Sequence, residues 1–203
     1  MSEKMTLTYF DAPVSRGEEC RLALFVAGVP FTDDRLKPGE FGKRKGATPF
    51  GAVPYLTAEG HPTIAQSNAI LRLIGSLHGL HPAEPWEAAR HEALMGAIED
   101  MRVRLTATRL PDAAALKTAR EEFARGYLKE WAGHVQAQLG DPFVSGANLQ
   151  VADLKLFVVM GPIVKGTMDH IPANVFEDFP KLTKHQAAVK AHPKVAEWYA
   201  KSA

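Results

Sequence analysis

The sequence has little cysteine: Cys20 is the single one among 203 residues. One cysteine excludes an intrachain disulfide and any zinc site built on several cysteine ligands. Because disulfides are typical of oxidising compartments, this usage indicates a reducing one, and we expect a cytoplasmic protein. The eight histidines are scattered along the chain, so no metal site is predicted.

A surplus of charge is also missing. The chain has 24 Lys and Arg residues against 23 Asp and Glu residues, a formal net charge of +1. A near-neutral chain gives no electrostatic argument for binding nucleic acid or an anionic membrane. No apolar run reaches the roughly 18 residues of a membrane-spanning helix, and residues 1–10 lack the apolar run of a signal peptide. We expect neither nucleic acid nor a membrane among the partners.

The common nucleotide-binding motifs are absent as well. The nearest glycine cluster is Gly39, Gly42 and Gly46, and its spacing fits neither GxGxxG nor a P-loop. What remains is an ordinary globular composition, 46% hydrophobic and 23% charged. The length allows one large domain or two small ones.

The first 80 residues alternate between short apolar strands and helical periodicity. The order βαβ followed by ββα includes a strand–helix–strand unit, which implies a parallel neighbouring pair. The predicted strands are 7–10, 31–36, 53–56 and 63–64, and the predicted helices are 16–27 and 67–77, with a basic, Gly-rich connector at 37–49.

Beyond a Gly/Pro-punctuated linker at 81–85, the pattern is helical throughout. Long helices are predicted at 86–109, at 116–139 and from 151 to a stop near Gly161-Pro162, with one or two more from Phe179 onward. The chain is therefore predicted to be an α+β protein with domains at 1–80 and 86–203, the second all-α.

Pro54 enters a predicted strand, where a residue without an N–H fits at the start or at an edge. A trans proline at an edge satisfies this requirement. A cis Val53-Pro54 bond would instead turn the N–H and C=O of Val53 outward, free to pair with an extended peptide. The residues alone leave both geometries open.

Two further features indicate a polar crevice. Ser67 opens a predicted helix whose free N–H groups suit a carboxylate or phosphate. Capping alone also explains Ser67, but it explains Gln66 less well, since Gln66 precedes the cap. Tyr9 ends the first strand just before the helix start at Ser15-Arg16, where α/β folds bind ligands. The alternative for Tyr9 is an interface tyrosine with its hydroxyl in solvent.

The segments LTYF (7–10), FGAVPYL (50–56), AQSNAILRL (65–73) and VADLKLF (151–157) resemble those of cytosolic glutathione transferases. The resemblance covers the whole chain and is nearest to the tyrosine-type, sigma-like classes. It implies a thioredoxin-like, glutathione-binding first domain, a helical domain that contributes a hydrophobic substrate site, and a homodimer with glutathione as co-substrate.

In such enzymes the residue that matches Tyr9 donates to the glutathione sulfur. The resemblance implies that the backbone of Val53, before a cis Pro54, pairs with the cysteinyl part of glutathione. It implies that Gln66 and Ser67 hold the γ-glutamyl group.

The same resemblance implies five more roles. Lys45 would bind the glycyl carboxylate, and Phe41 takes a place often held by tryptophan. Asp100 would reach the glutathione of the other subunit, and Arg16 would support the thiolate. The loop after Tyr9 is one residue longer than in sigma enzymes, so Ser15 is the alternative activating hydroxyl.

Other departures from the family pattern matter less. Cys20 lies inside a helix, where it is poorly placed as a nucleophile, and this disfavours the cysteine-dependent reduction chemistry of omega-type relatives. Gln150 stands where the helix at 151 usually has a Ser or Thr cap, so we expect Asn148 or a frayed first turn to substitute. The expected electrophile pocket is lined by residues chosen from helix geometry, namely Phe10, Met101, Arg104, Leu105 and Thr108.

The expected function is conjugation of glutathione to small hydrophobic electrophiles by a detoxifying glutathione S-transferase. The alternatives are a glutathione-dependent isomerase or peroxidase in the same site, or a transferase-like module that binds glutathione without catalysis.

Overall fold

The structure is a computed structural model that describes residues 4–201. The described chain divides into two units. One contains the residues up to Pro85 together with the segment from His192 onward, and the other is Trp86–Ala191. The last helix therefore packs with the N-terminal unit, although the sequence patterns grouped it with the helical region.

The N-terminal unit contains a four-stranded sheet. Its strands are β1 (Met5–Phe10), β2 (Phe31–Leu36), β3 (Tyr55–Ala58) and β4 (Ile64–Ala65). They lie in the order β2-β1-β3-β4. β1 runs parallel to β2 and antiparallel to β3, and β3 is antiparallel to β4. This is the predicted βαβ-ββα arrangement, so the predicted thioredoxin-like fold is confirmed.

The helices of this unit follow the predicted pattern with small shifts. The helix α3 (Ser67–His78) buries the predicted face of Ile70, Leu71 and Ile74, but Leu77, expected on that face, is 60% exposed. Gly79 adopts a φ of 71°, a left-handed conformation that ends α3. The helices are α1 (Ser15–Val26), α2 (Glu40–Arg44), a 3₁₀ turn (Lys45–Ala47) and α3 (Ser67–His78).

The second unit is helical, and its first helix buries Leu94, Ile98 and Met101 of the predicted stripe. Within residues 4–201, no helix is both long enough and apolar enough to cross a membrane. The helices of this unit are α4 (Pro85–Ala107), α5 (Ala113–Arg125), α6 (Tyr127–Gln138), α7 (Val151–Val164) and α8 (Pro180–Ala191), and α9 (Pro193–Lys201) belongs to the first unit.

Three helix boundaries differ from the predictions. The single helix expected at 116–139 is two, because Gly126 takes φ −99° and ψ −101°, outside the helical region. The helix expected to reach residue 109 ends at Ala107. Pro162 does not stop α7, because it lies in the last turn and Lys165 still donates to the carbonyl of Gly161 at 3.0 Å.

The start of α7 is held by Asp153, which is fully buried. Its carboxylate accepts hydrogen bonds from the N–H groups of Gln150 and Val144, both at 2.8 Å. His185 lies 2.9 Å from the same carboxylate. Asp153 thus ties the first turn of α7 to the segment that precedes it, where we expected Asn148 or a frayed turn.

Candidate active site

The strand register brings three predicted site segments to one end of the sheet. Thr8 is paired with Tyr55, and Tyr55 with Ala65. One residue further along the same strands, Tyr9, Pro54 and Gln66 follow in adjacent positions. Because neighbouring strands lie about 4.8 Å apart, these three segments lie side by side at one end of the sheet.

Tyr9 is buried, with 8% of its surface exposed. Its ring centroid lies 5.2 Å from that of Phe10. The guanidinium of Arg21, on α1, lies 5.7 Å from the Tyr9 ring centroid, in the range of a cation–π contact. The ring therefore packs on the side of the sheet that α1 covers.

Arg21 fixes the loop that follows Tyr9. This side chain is fully buried and donates to the carbonyls of Phe10 at 3.0 Å and of Ala12 at 2.9 Å. Its Nε donates to both oxygens of Asp33 on β2, at 2.9 and 3.1 Å. One guanidinium thus ties the longer loop to α1 and to the edge strand.

Ser15, the alternative hydroxyl, is the first residue of α1 and has a φ of 61°. A non-glycine residue rarely adopts this left-handed conformation, and such residues are concentrated at functional sites. Val14, at the cap position, has no side-chain acceptor for the first N–H groups of α1. Ser15 and Arg16 are half-buried at this positive end of the helix dipole.

The Val53–Pro54 peptide bond is cis, which is the geometry that the resemblance implied. Pro54 is buried and Val53 is half-buried. The residue pair directly precedes β3, so its backbone lies beyond the last ladder pair of that strand.

Gln66 and Ser67 follow β4 directly. Gln66 is exposed and has a φ of 72° and a ψ of 118°, and its carbonyl accepts from the N–H of Ile70 at 3.0 Å. Ser67 begins α3 and is 3% exposed. The first turn of α3 therefore begins at the same sheet end as Tyr9, with the positive end of the helix dipole there.

Arg44 attaches α2 to the sheet. Its guanidinium lies 2.5 Å from the carboxylate of Asp34 on β2. Hydrogen bonds to Asp34 and Tyr55 raise the pKa of Arg44. On the same short helix, the ring of Phe41 stands edge-on to that of Phe10, with centroids 5.6 Å apart.

Lys45 comes directly after Arg44 and its side chain is exposed. The carbonyl of Lys45 accepts two hydrogen bonds from Thr48, one from the hydroxyl at 3.0 Å and one from the backbone N–H at 3.3 Å. These bonds fix the backbone of the turn. An exposed ammonium on an anchored turn can bind a carboxylate without ordering the backbone first.

Asp100 lies on α4, in the helical unit, and is exposed. Two residues that we expected to line the electrophile pocket make contacts within the helical unit instead. Met101 is fully buried. The hydroxyl of Thr108 lies 2.6 Å from both Arg120 Nε, which donates to it, and the carbonyl of Leu105, which accepts from it.

The described part of the chain, residues 4–201, holds no group of three or more His, Cys, Asp or Glu side chains arranged for a metal ion. Cys20 is fully buried in α1. A thiol without solvent access is a poor nucleophile.

Comparison with known proteins identifies the family. Residues 5–76 match the family described as "Glutathione S-transferase, N-terminal domain", and residues 99–202 match "Glutathione S-transferase, C-terminal domain". The chain belongs to the glutathione S-transferase family, as the resemblance predicted.

Similar proteins share modest identity with the chain. Hematopoietic prostaglandin D synthase of Gallus gallus is 28% identical over 201 residues, covering 96% of this chain and 94% of that protein. Glutathione S-transferase 1 of Ascaris suum is 39% identical over 99 residues, 49% of this chain and 47% of that protein. The solved structure of prostaglandin synthase D of Nilaparvata lugens superposes with a TM-score of 0.86 at 22% identity, covering 98% of each chain. This last likeness concerns the fold alone.

Proposed function

We propose that this protein activates the thiol of glutathione for attack on small hydrophobic electrophiles, as a glutathione S-transferase. One observation carries the proposal. In a chain of the glutathione S-transferase family, the register of β1, β3 and β4 brings Tyr9, the cis Pro54 and the start of α3 to one sheet end. A hydroxyl, the backbone that precedes β3 and a helix N-terminus can together bind a tripeptide with two carboxylates.

Glutathione would be bound by backbone groups and by polar and charged side chains. The backbone of Val53 would pair with the cysteinyl residue in the manner of an added strand. Gln66 and Ser67, at the positive end of α3, would hold the γ-glutamyl carboxylate. Lys45 would pair with the glycyl carboxylate, beside Phe41.

Activation would depend on a hydroxyl near the sulfur. A free thiol has a pKa of about 8.5, so only about 3% is thiolate at pH 7. Tyr9 would donate a hydrogen bond that stabilises the thiolate, with Ser15 as the alternative donor and Arg16 as supporting charge. Lowering the pKa by about two units corresponds to about 2.7 kcal/mol. The thiolate sulfur would then form a bond to the electrophilic carbon, and the leaving group departs with its electron pair.

A glutathione-dependent isomerase is the second candidate. The likeness to a protein named hematopoietic prostaglandin D synthase, over 96% of this chain, favours it. An isomerase would use the same thiolate and release glutathione unchanged. A peroxidase would use the same site. A module that binds glutathione without catalysis would keep Val53, Gln66 and Ser67 but would not lower the thiol pKa.

We also propose a cytoplasmic homodimer in which Asp100 of each subunit contributes to the glutathione site of the other. Its exposed position on α4 leaves it available to a partner. Asp100→Asn should weaken glutathione binding without changing the dimer mass measured by light scattering. An unchanged glutathione affinity in a stable dimer would remove Asp100 from the site.

The experiment that tests the proposed function is an ultraviolet titration of bound glutathione. Thiolate absorbance is followed from about pH 5 to pH 9 with the protein saturated. We expect the bound thiol pKa to lie well below the free value near 8.5. Saturable binding with an unshifted titration would indicate a non-catalytic module, and absence of binding would refute the proposal. Assays with an aryl halide, a peroxide and a prostaglandin endoperoxide then separate the three enzyme activities.

A further inference from the structure

Gly17 is a glycine that the backbone does not require. It is the third residue of α1 and is absent from the residues with positive φ. Within a helix, glycine is less favourable than alanine because it loses more conformational freedom on folding. The reason for a glycine at this position must therefore lie in what its missing side chain would touch.

The missing side chain would meet Tyr9. A Cβ on Gly17 would overlap with the Cδ1 and Cγ atoms of the Tyr9 ring and would lie 2.7 Å from the Cβ of Tyr9. Real Cβ atoms do not approach other heavy atoms this closely. All three atoms belong to the proximal, stiff part of the tyrosine, which cannot move aside as the end of a flexible chain would. Gly17 therefore leaves room for the ring in its present place.

The other neighbours of Tyr9 hold the ring against this glycine. Phe10 packs on it at 5.2 Å and the guanidinium of Arg21 lies 5.7 Å from its centroid. Arg21 is itself fixed by the carbonyls of Phe10 and Ala12. An added methyl group at position 17 would have to turn the ring and also shift the backbone of Tyr9, because rotation about the Cα–Cβ bond leaves the Tyr9 Cβ in place. Both movements displace the hydroxyl, which lies at the far end of the side chain.

We propose that Gly17 is a positioning residue that sets where the Tyr9 hydroxyl stands and thereby controls activation of the glutathione thiol. This inference rests on the proposed function and on Tyr9 as the activating hydroxyl. Gly17 contacts no substrate in this account and acts through Tyr9.

The test compares Gly17→Ala with a matched control, Gly96→Ala. Gly96 also lies in a helix, α4, and a Cβ added there has no neighbour within 4 Å. The measurements are the thiolate titration of bound glutathione, and kcat and KM with an aryl halide. For Gly17→Ala we expect the thiolate fraction at pH 7 and kcat to fall about fivefold or more, with KM for glutathione within about twofold. Gly96→Ala should match the wild type in all three.

A double-mutant cycle with Tyr9→Phe tells positioning from a general structural effect. When the Tyr9 hydroxyl is absent, Gly17→Ala should change the titration no further. An equal loss in both backgrounds would overturn the inference. Should Gly17→Ala fail to fold, the same change is made on Tyr9→Gly, which removes all three atoms that the added Cβ would meet, and there it should not lower the stability of the Tyr9→Gly protein. A further loss of stability in the double variant, relative to Tyr9→Gly alone, would also overturn the inference.

The remaining outcomes separate this inference from the proposed function. In one outcome the wild type lowers the pKa of the bound thiol, Tyr9→Phe no longer does, and Gly17→Ala still does. This outcome refutes the role of Gly17 and leaves the proposed function intact. A shift that survives Tyr9→Phe refutes the role of Gly17 and points to Ser15. A wild type with no shift refutes both the inference and the function.

Discussion

The indole Nε1 of Trp198 donates a 2.7 Å hydrogen bond to the buried carboxylate of Glu18, although the two residues are 180 positions apart. Trp198 lies on α9 and Glu18 on α1, and the Trp198 ring also packs on Phe25 with centroids 5.1 Å apart. Burial raises the pKa of the neighbouring Tyr199, and the Glu18 carboxylate raises it further. The C-terminal helix is thus fixed to the helix that follows the proposed site.

This bond predicts a stability effect for Trp198→Phe. Phenylalanine keeps an aromatic ring against Phe25 but cannot donate to Glu18, so a buried carboxylate loses a hydrogen bond. We expect the free energy of unfolding to fall by about 1–3 kcal/mol in urea denaturation. Trp86→Phe is the matched control, because Trp86 is 85% exposed, and it should change stability by less than about 0.5 kcal/mol. Equal effects of the two variants would contradict this account of Glu18.

The choice between the two candidate hydroxyls predicts different results for Tyr9→Phe and Ser15→Ala. If Tyr9 stabilises the thiolate, Tyr9→Phe should lower kcat/KM about tenfold or more, because the ring remains while its donor is lost. Ser15→Ala should then stay within about twofold of the wild type. The reverse result would assign activation to Ser15. If neither variant lowered the rate, both assignments would be wrong.

Arg44 gives a prediction about glutathione affinity. Because its guanidinium ties α2 to Asp34, Arg44→Gln should loosen the segment that contains Phe41 and Lys45. We expect KM for glutathione to rise several-fold at saturating electrophile, with kcat almost unchanged, because binding is lost and activation is not. Lys43→Gln removes the same charge from the exposed neighbouring position and should leave KM within about twofold. Equal increases in the two variants would show that net charge, and not attachment of α2, determines the affinity.

Much of the fold was predictable because its signals are local. The strand and helix periodicities of residues 5–78 and the stripe of Leu94, Ile98 and Met101 follow from apolar spacing alone. The break at Gly126 and the continuation through Pro162 were not predictable, because each depends on the chain that packs around the helix. A glycine inside a helical pattern is compatible with a break, as at Gly126, or with a close neighbour, as at Gly17.

Site residues that belong to a short sequence motif could be predicted. Residues whose role comes from a contact with another segment of the chain could not. Tyr9, Pro54 and Gln66 were identified from short segments, and the strand register brings these segments to one sheet end. Arg21 and Arg44 were not identified as parts of the site. Each gains its role from an aspartate on β2 and from backbone or side-chain groups on other segments of the sheet region, and a single sequence does not pair such residues. An arginine within the apolar run of α1 was the one signal that could have indicated Arg21.

The helical unit gives a prediction for acid stability. Glu87 accepts two hydrogen bonds from Arg90 and one from the hydroxyl of Ser145. These bonds, chiefly those from Arg90, lower the pKa of Glu87 to about 2 from its ordinary value of 4.5. A carboxyl whose pKa is lower in the folded state stabilises the protein above its unfolded pKa. That stabilisation is lost as the pH falls from about 4.5 through 2.

We therefore expect Glu87→Gln to be less stable than the wild type at pH 6, with a difference that shrinks between about pH 4.5 and pH 2. The measurement is the free energy of unfolding in urea at a series of pH values. Glu59→Gln, in the exposed turn after β3, is the matched control and should show no such convergence. A difference between Glu87→Gln and wild type that stayed constant down to pH 2 would mean that the Arg90 and Ser145 contacts do not bind the ionised carboxylate more strongly than the neutral amide.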